Sequence, residues 1–268
     1  MELDRRTLLA ALMAATLPPL ATRAEASEAV EAMLDLPSGM RLDGNEQIGM
    51  LMYPGFTALD LIGPYHSLAS MPGATVHLVT NQRDLSPVPS DLGVAMQPTV
   101  TMDDCPRDLT VLFTPGGTAG TLAAARDGAT LEFIRDRAKR AVYVTSVCTG
   151  SLVLGAAGVL NGKRATSHWS VRPLLSEFGA TPVDSRVVVD GNVITGAGVS
   201  AGLDLGLSLV AQLRGKPFAE SVLLVAEYDP EPPFPGGSLH TARPEIAAFT
   251  ASTLEGFVAD ARKLGVAG

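Results

Sequence analysis

Short runs of apolar and β-branched residues recur along this chain, each followed by a stretch with helical spacing. That alternation restricts the possible folds more than any other feature. Gln47 to Tyr53, Thr75 to Thr80, Leu109 to Phe113 and Ala141 to Ser146 read as strands. The first is an uninterrupted apolar run, which suits a strand buried on both faces of a parallel sheet. After it, Thr57 can cap a helix carrying the stripe Leu59, Leu61, Ile62, Tyr65 and Leu68, and Ala129 to Ala138 predicts another helix. The expected architecture is α/β, a mostly parallel central sheet covered on both faces. Further on, Val171 to Phe178 predicts a helix ended by Gly179, Ala201 to Leu213 a buried helix, and Phe218 to Tyr228 a last apolar one before a polar C-terminal helix. Val187 to Thr195 reads as a hairpin turned at Asp190-Gly191, and the proline-rich stretch Leu85 to Pro98 as a loop or hairpin at a sheet edge.

In open parallel sheets ligands bind at the carboxyl ends of the strands. Three stretches with chemical potential fall at such ends: Pro54 to Asp60, Pro115 to Thr118, and Ser146 to Gly150. In the last, a strand runs into a helix through Cys148, with Ser146 two residues before it and Gly150 two after, the spacing of a nucleophile elbow. A thiol at a helix N-terminus faces unpaired N–H groups that favour the thiolate, so Cys148 is a candidate nucleophile. Asp60 supplies a carboxylate and Gly116-Gly117 a turn with exposed N–H groups. His168, twenty positions beyond Cys148 and after a predicted strand, is a further candidate for the same crevice.

With 46% hydrophobic residues the 268-residue chain can build one large core, and no second core or internal repeat is visible. A net charge of −8 argues against a nucleic-acid partner, because phosphate binding needs a basic face. His66, His77 and His240 lack ligand spacing and no Cys/His cluster exists, so no metal is expected; phosphate-loop and dinucleotide motifs are missing, so no nucleotide cofactor is expected either. Cys105 lies in a polar Asp-Asp-Cys-Pro loop, remote from the elbow, and no disulfide is expected. The N-terminus, Asp4-Arg5-Arg6 followed by an apolar stretch and small residues, fits a twin-arginine export signal. Residues 1–26 are therefore read as a leader to the periplasm, 27–45 as a linker, 46–240 as the domain and 241–268 as a helical tail. No other stretch reaches the length of a membrane span.

The strand-end residues resemble the DJ-1/PfpI family. The resemblance is carried by Leu59-Asp60-Leu61 with Gly63-Pro64, by Pro115-Gly116-Gly117-Thr118, and most specifically by Tyr143 to Ala157 with Gly162 to Trp169. Glu227-Tyr228 and Pro232-Pro233-Phe234 extend it, so that it spans roughly 46–240. It implies a flavodoxin-like three-layer sandwich of the class I glutamine amidotransferase-like kind, a homodimer, and, from the members it most resembles, cofactor-free hydration of a small-molecule isonitrile to an N-substituted formamide. Family roles map onto Cys148 as nucleophile, Asp60 as its acidic partner and Thr149 as a required neighbour. Gly116, Gly117 and His168 are placed around the substrate or its developing charge by their positions at the neighbouring strand ends. The chain departs from the family pattern in two places. Tyr65-His66-Ser67 stands where many relatives carry an acid, and Thr149 stands where peptidase-like members carry histidine. A thiol sensor of oxidants or electrophiles, and another cysteine-dependent hydrolase or glyoxalase-like enzyme, are the alternative readings.

Overall fold

The computed structural model describes residues 36–265; the expected leader at 1–26 and residues 27–35 of the expected linker lie outside them. The elements, in order, are β1 (Gln47–Met52), α1 (Ala58–Ala69), β2 (Thr75–Thr80), β3 (Val88–Pro89), β4 (Ala95–Met96), β5 (Val100–Thr101) and β6 (Val111–Thr114). There follow α2 (Ala119–Ala124), α3 (Gly128–Ala138), β7 (Tyr143–Val147), α4 (Gly150–Ala156), β8 (Arg164–Ala165), a 3₁₀ helix (Arg172–Phe178) and β9 (Thr181–Pro182). The chain then runs through β10 (Val187–Asp190), β11 (Val193–Gly196), α5 (Ala201–Arg214), α6 (Lys216–Val225) and α7 (Pro244–Gly265).

Seven strands form one sheet in the order β10-β11-β7-β6-β1-β2-β5. Every neighbouring pair is parallel except the β10–β11 hairpin, which turns at Gly191 with φ 61°. Helices α1, α5 and α6 pack together on one side, while α2, α3, α4, the 3₁₀ helix and α7 form the other layer. This is the expected three-layer sandwich. Strand order reverses at β1, where the chain passes from β2 and β5 on one side to β6 and β7 on the other.

The α1 stripe divides. Leu61 and Leu68 are buried, but Leu59, Ile62 and Tyr65 face outward, and the buried face is completed by Asp60, Gly63, Pro64 and Ser67. The cause is the closeness of α5: a methyl group added to Gly206 would lie 2.8 Å from Pro64 Cα, and one on Gly63 would lie 3.4 Å from the Leu203 nitrogen. Small residues occupy that seam and the larger ones are turned to the surface. The stretch Leu85 to Pro98, expected as a loop or hairpin at a sheet edge, is a hairpin with Val88 opposite Met96, but it stands apart from the main sheet and docks over the end of β1 through Gly55 N–H to Pro89 O and Asp91 N–H to Phe56 O. The sheet edge is β5. The helix expected from Val171 is wound as 3₁₀, with Pro173 in its first turn and Gly179 in the left-handed region at its end.

Below the sheet, Arg214 is fully buried at the end of α5. Its Nε and Nη2 donate to Glu46 Oε1 and Oε2 at 2.7 and 2.6 Å, and its remaining N–H groups reach the carbonyls of Leu42 and Pro72. Burial pushes the Glu46 carboxyl up, but the bonds and charge of Arg214 outweigh it and hold Glu46 below the usual carboxylate range. The last part of the expected linker is thus fastened to the body. The tail is also packed, as α7 buries Ala261 and Leu264.

Candidate active site

The carboxyl ends of β1, β6 and β7 lie side by side, Met50 level with Phe113 and Thr114 level with Ser146. Asp60, Gly116-Gly117 and Cys148 follow these three strands and converge at the point where strand order reverses, the usual place for a ligand crevice. The meeting is close. A methyl group added to Gly116 would lie 2.8 Å from Asp60 Oδ2 and 2.7 Å from both the nitrogen and Oγ1 of Thr149, the residue next to the thiol.

Cys148 adopts φ 58°, a left-handed conformation costly for a residue with a side chain, and so turns the chain sharply from β7 into α4. Its own N–H donates to Gly196 O at 3.1 Å, and its carbonyl accepts from Ser167 Oγ at 3.0 Å and Ser151 Oγ at 3.2 Å. Gly150 lets α4 start against β6: a methyl there would run into the carbonyl oxygens of Thr114 and Pro115. The strained turn is held at both its amide and its carbonyl.

Cys148 is 5% exposed, Thr149 3% and Asp60 0%, so the reacting groups are almost dry. Burial pushes the Cys148 thiol well above its ordinary range, and the Asp60 charge adds to this; the Thr149 amide opposes it without prevailing. The helix-terminus argument for a thiolate is therefore corrected. The helix α4 has only seven residues, and desolvation outweighs its N–H groups. Burial likewise raises Asp60 from 3.8 to about 7; the Gly116 N–H, donating to Oδ2 at 2.8 Å, pulls it down, the Asp91 charge pushes it up, and the Cys148 thiol lowers it. Asp60 Oδ1 is buried without a well-aligned hydrogen bond. Thiol and carboxyl thus bias each other's proton.

The glycine turn has its N–H groups already engaged. Gly116 donates to Asp60, and Gly117 to Thr149 Oγ1 at 2.9 Å, so neither is free to receive a developing oxyanion as expected. Thr149 Oγ1 in turn donates to Gly117 O at 2.6 Å and meets Thr121 Oγ1 at 2.9 Å, and Tyr53 joins Thr121 to the Pro115 carbonyl. The turn is a scaffold for the acid and for Thr149. His168 has its Nδ1 paired with Ser170 Oγ at 2.8 Å and its ring against Trp169, and burial with the Arg172 charge lowers its pKa. The neighbouring Ser167 is the residue that reaches Cys148. Among the described residues no group of three or more metal-ligating side chains occurs. Tyr53, Thr121 and Ser167 carried no local sequence signal, because each bonds a partner distant in the chain, whereas Ser151 reaches back only three residues to the Cys148 carbonyl within the elbow.

Residues 46–212 match the family model described as DJ-1/PfpI family. The chain is 54% identical over 196 residues to an isonitrile hydratase from Pseudomonas putida, covering 73% of this chain and 84% of that protein. It is 29% identical over 141 residues to the deglycase PfpI of Pyrococcus furiosus, covering 52% of this chain and 82% of that protein. Among solved structures it resembles a ThiJ/PfpI family protein from Pseudomonas syringae, with a TM-score of 0.83 and 53% identity, covering 85% of this chain and 93% of the other.

Proposed function

This chain belongs to the DJ-1/PfpI family, and on that footing we propose that it is a hydro-lyase converting an isonitrile to an N-substituted formamide, with Cys148 as nucleophile and Asp60 as acid and base. The observation that carries the reading is the dry pair itself, two ionisable groups at one strand-end crevice, both biased toward holding protons. An isonitrile carbon takes a proton and a nucleophile at the same atom, and a pair sharing one transferable proton supplies both. In the first step the Cys148 proton passes by way of Asp60 to the isonitrile carbon while Sγ bonds to it; the S–H bond breaks and C–H and C–S bonds form, giving a thioimidate, R–N=CH–S–Cys148. Asp60, ionised again, takes a proton from water and passes it to the nitrogen as the water oxygen adds to carbon. Collapse of that adduct, with its hydroxyl proton returning to the pair, breaks the C–S bond and releases R–NH–CHO. Thr149 holds the glycine turn and presents its N–H to the sulfur.

The deglycase relative belongs to another reaction class, but no feature of this crevice favours it. A sensor thiol works best exposed and with a low pKa, and Cys148 has neither property. Two assembly readings accompany the chemistry. Export through the twin-arginine leader rests on Arg5-Arg6 and the apolar stretch after them. Pairing with a second copy is supported by the outward Leu59, Ile62 and Tyr65 of α1 together with exposed Leu224 and Val225 at the end of α6. The test of the reaction is turnover of cyclohexyl isonitrile with intact-mass detection of the Cys148 adduct. Loss of both adduct and turnover in Cys148→Ala is expected, and undiminished turnover would refute the scheme.

A further inference from the structure

The β3–β4 turn brings a second carboxylate to the buried acid. Asp91 donates its N–H to Phe56 O at 2.9 Å, and its Oδ2 accepts from Thr57 Oγ1. Thr57 is the residue preceding α1, in position to cap the helix with its own hydroxyl, yet it makes no such bond and its hydroxyl is turned to Asp91. The Asp60 N–H donates to Thr57 O at 3.1 Å, so Asp60 and Asp91 approach the same helix end, one from inside and one from the surface.

A helix N-terminus ordinarily favours an ionised acid in its first turn. Here an anion fixed on the neighbouring residue offsets that field. The other titratable neighbours of Asp60 are Tyr53, following β1 and itself pushed up by burial, and Cys148 at the elbow, neither of them cationic. Helix α5 approaches through the backbone side of Gly202, where an added methyl would lie 3.5 Å from Asp60 O. No arginine or lysine faces the carboxyl among the groups that bear on its charge.

We propose that Asp91 is a positioning residue for the reaction, an exposed carboxylate held at the start of α1 that, when the pair carries one proton, favours its residence on buried Asp60 rather than on Cys148. The inference deepens the proposed function, because it concerns the acid of the same pair, but it is tested independently of turnover. Aspartate-labelled protein is titrated by carbon-13 NMR, the Asp60 carboxyl being the resonance missing from Asp60→Asn. In Asp91→Asn, which keeps an acceptor for Thr57 and removes the charge, the Asp60 midpoint moves down by about half a pH unit. In Asp91→Glu it returns toward the parent value. Because the charge is exposed, 1 M salt also lowers the midpoint in the parent and leaves Asp91→Asn nearly unchanged. An Asp60 midpoint that does not move in Asp91→Asn overturns the proposal. A midpoint that moves in a protein unable to hydrate isonitriles upholds the role of Asp91 and refutes the reaction instead.

Discussion

Replacing Asp60 by asparagine isolates what it costs the fold to keep a carboxyl dry. In the folded protein the group titrates at about 7, and in the unfolded chain near 3.8. Between those values the folded state holds a proton that the unfolded state has released, so the stability contributed by this group is greatest at low pH and falls as pH rises. Integrating the difference from pH 4 to pH 8 gives about 4 kcal/mol. That is a large share of the 5–15 kcal/mol typical of a domain. Asparagine has almost the same shape and still accepts from the Gly116 N–H, but it carries no charge to desolvate. Urea unfolding of both proteins at half-unit steps of pH should therefore show the variant gaining on the parent by about 4 kcal/mol between pH 4 and pH 8, while its turnover is lost. Titrations common to both proteins cancel in the difference. A stability difference that stays flat across this range, or runs the other way, would refute the claim that Asp60 is held protonated by burial.

Two further outcomes concern catalysis and packing. If the working pair carries one proton, kcat/KM for an isonitrile should rise with pH through about 7, as the pair of Asp60 and Cys148 gives up the second of its two protons; a profile level from pH 5 to pH 8 contradicts the scheme. Gly150→Ala should cost about 1–3 kcal/mol, because its methyl meets the carbonyls of Thr114 and Pro115 rather than a movable side chain. Thermal melting reads this as a fall of several degrees, and an unchanged melting temperature would mean that the elbow tolerates separation from β6.

The sandwich was legible because its strands are short apolar runs and its turns fall where glycine and proline stand. Asp60, Gly116 and Cys148 were legible as neighbours because each lies in the turn or first helical turn after such a strand, and parallel strands bring their ends together. Protonation was not: the seven-residue helix at Cys148 argued for a thiolate, and only the depth of the crevice showed that desolvation wins. The division of labour between Ser167 and His168 was equally hidden. Both follow β8, yet Ser167 is turned inward onto the Cys148 carbonyl while His168 is held by Ser170. Thr57 does not cap α1; its hydroxyl is turned to Asp91, on a hairpin whose docking over β1 no local pattern announces.

The grip of Arg214 on Glu46 bears on what may be joined to this enzyme. Glu46 precedes β1, and the six residues of that strand place about 20 Å of sheet between the grip and the crevice at its far end. With Arg41 also bonded to carbonyls at the end of α5, the chain before β1 is anchored before any preceding sequence begins. The described chain thus enters β1 from the end of the sheet opposite the crevice. The anchoring of this entry segment is separated from the chemistry, so it can change in evolution or in the laboratory without retuning the reacting pair.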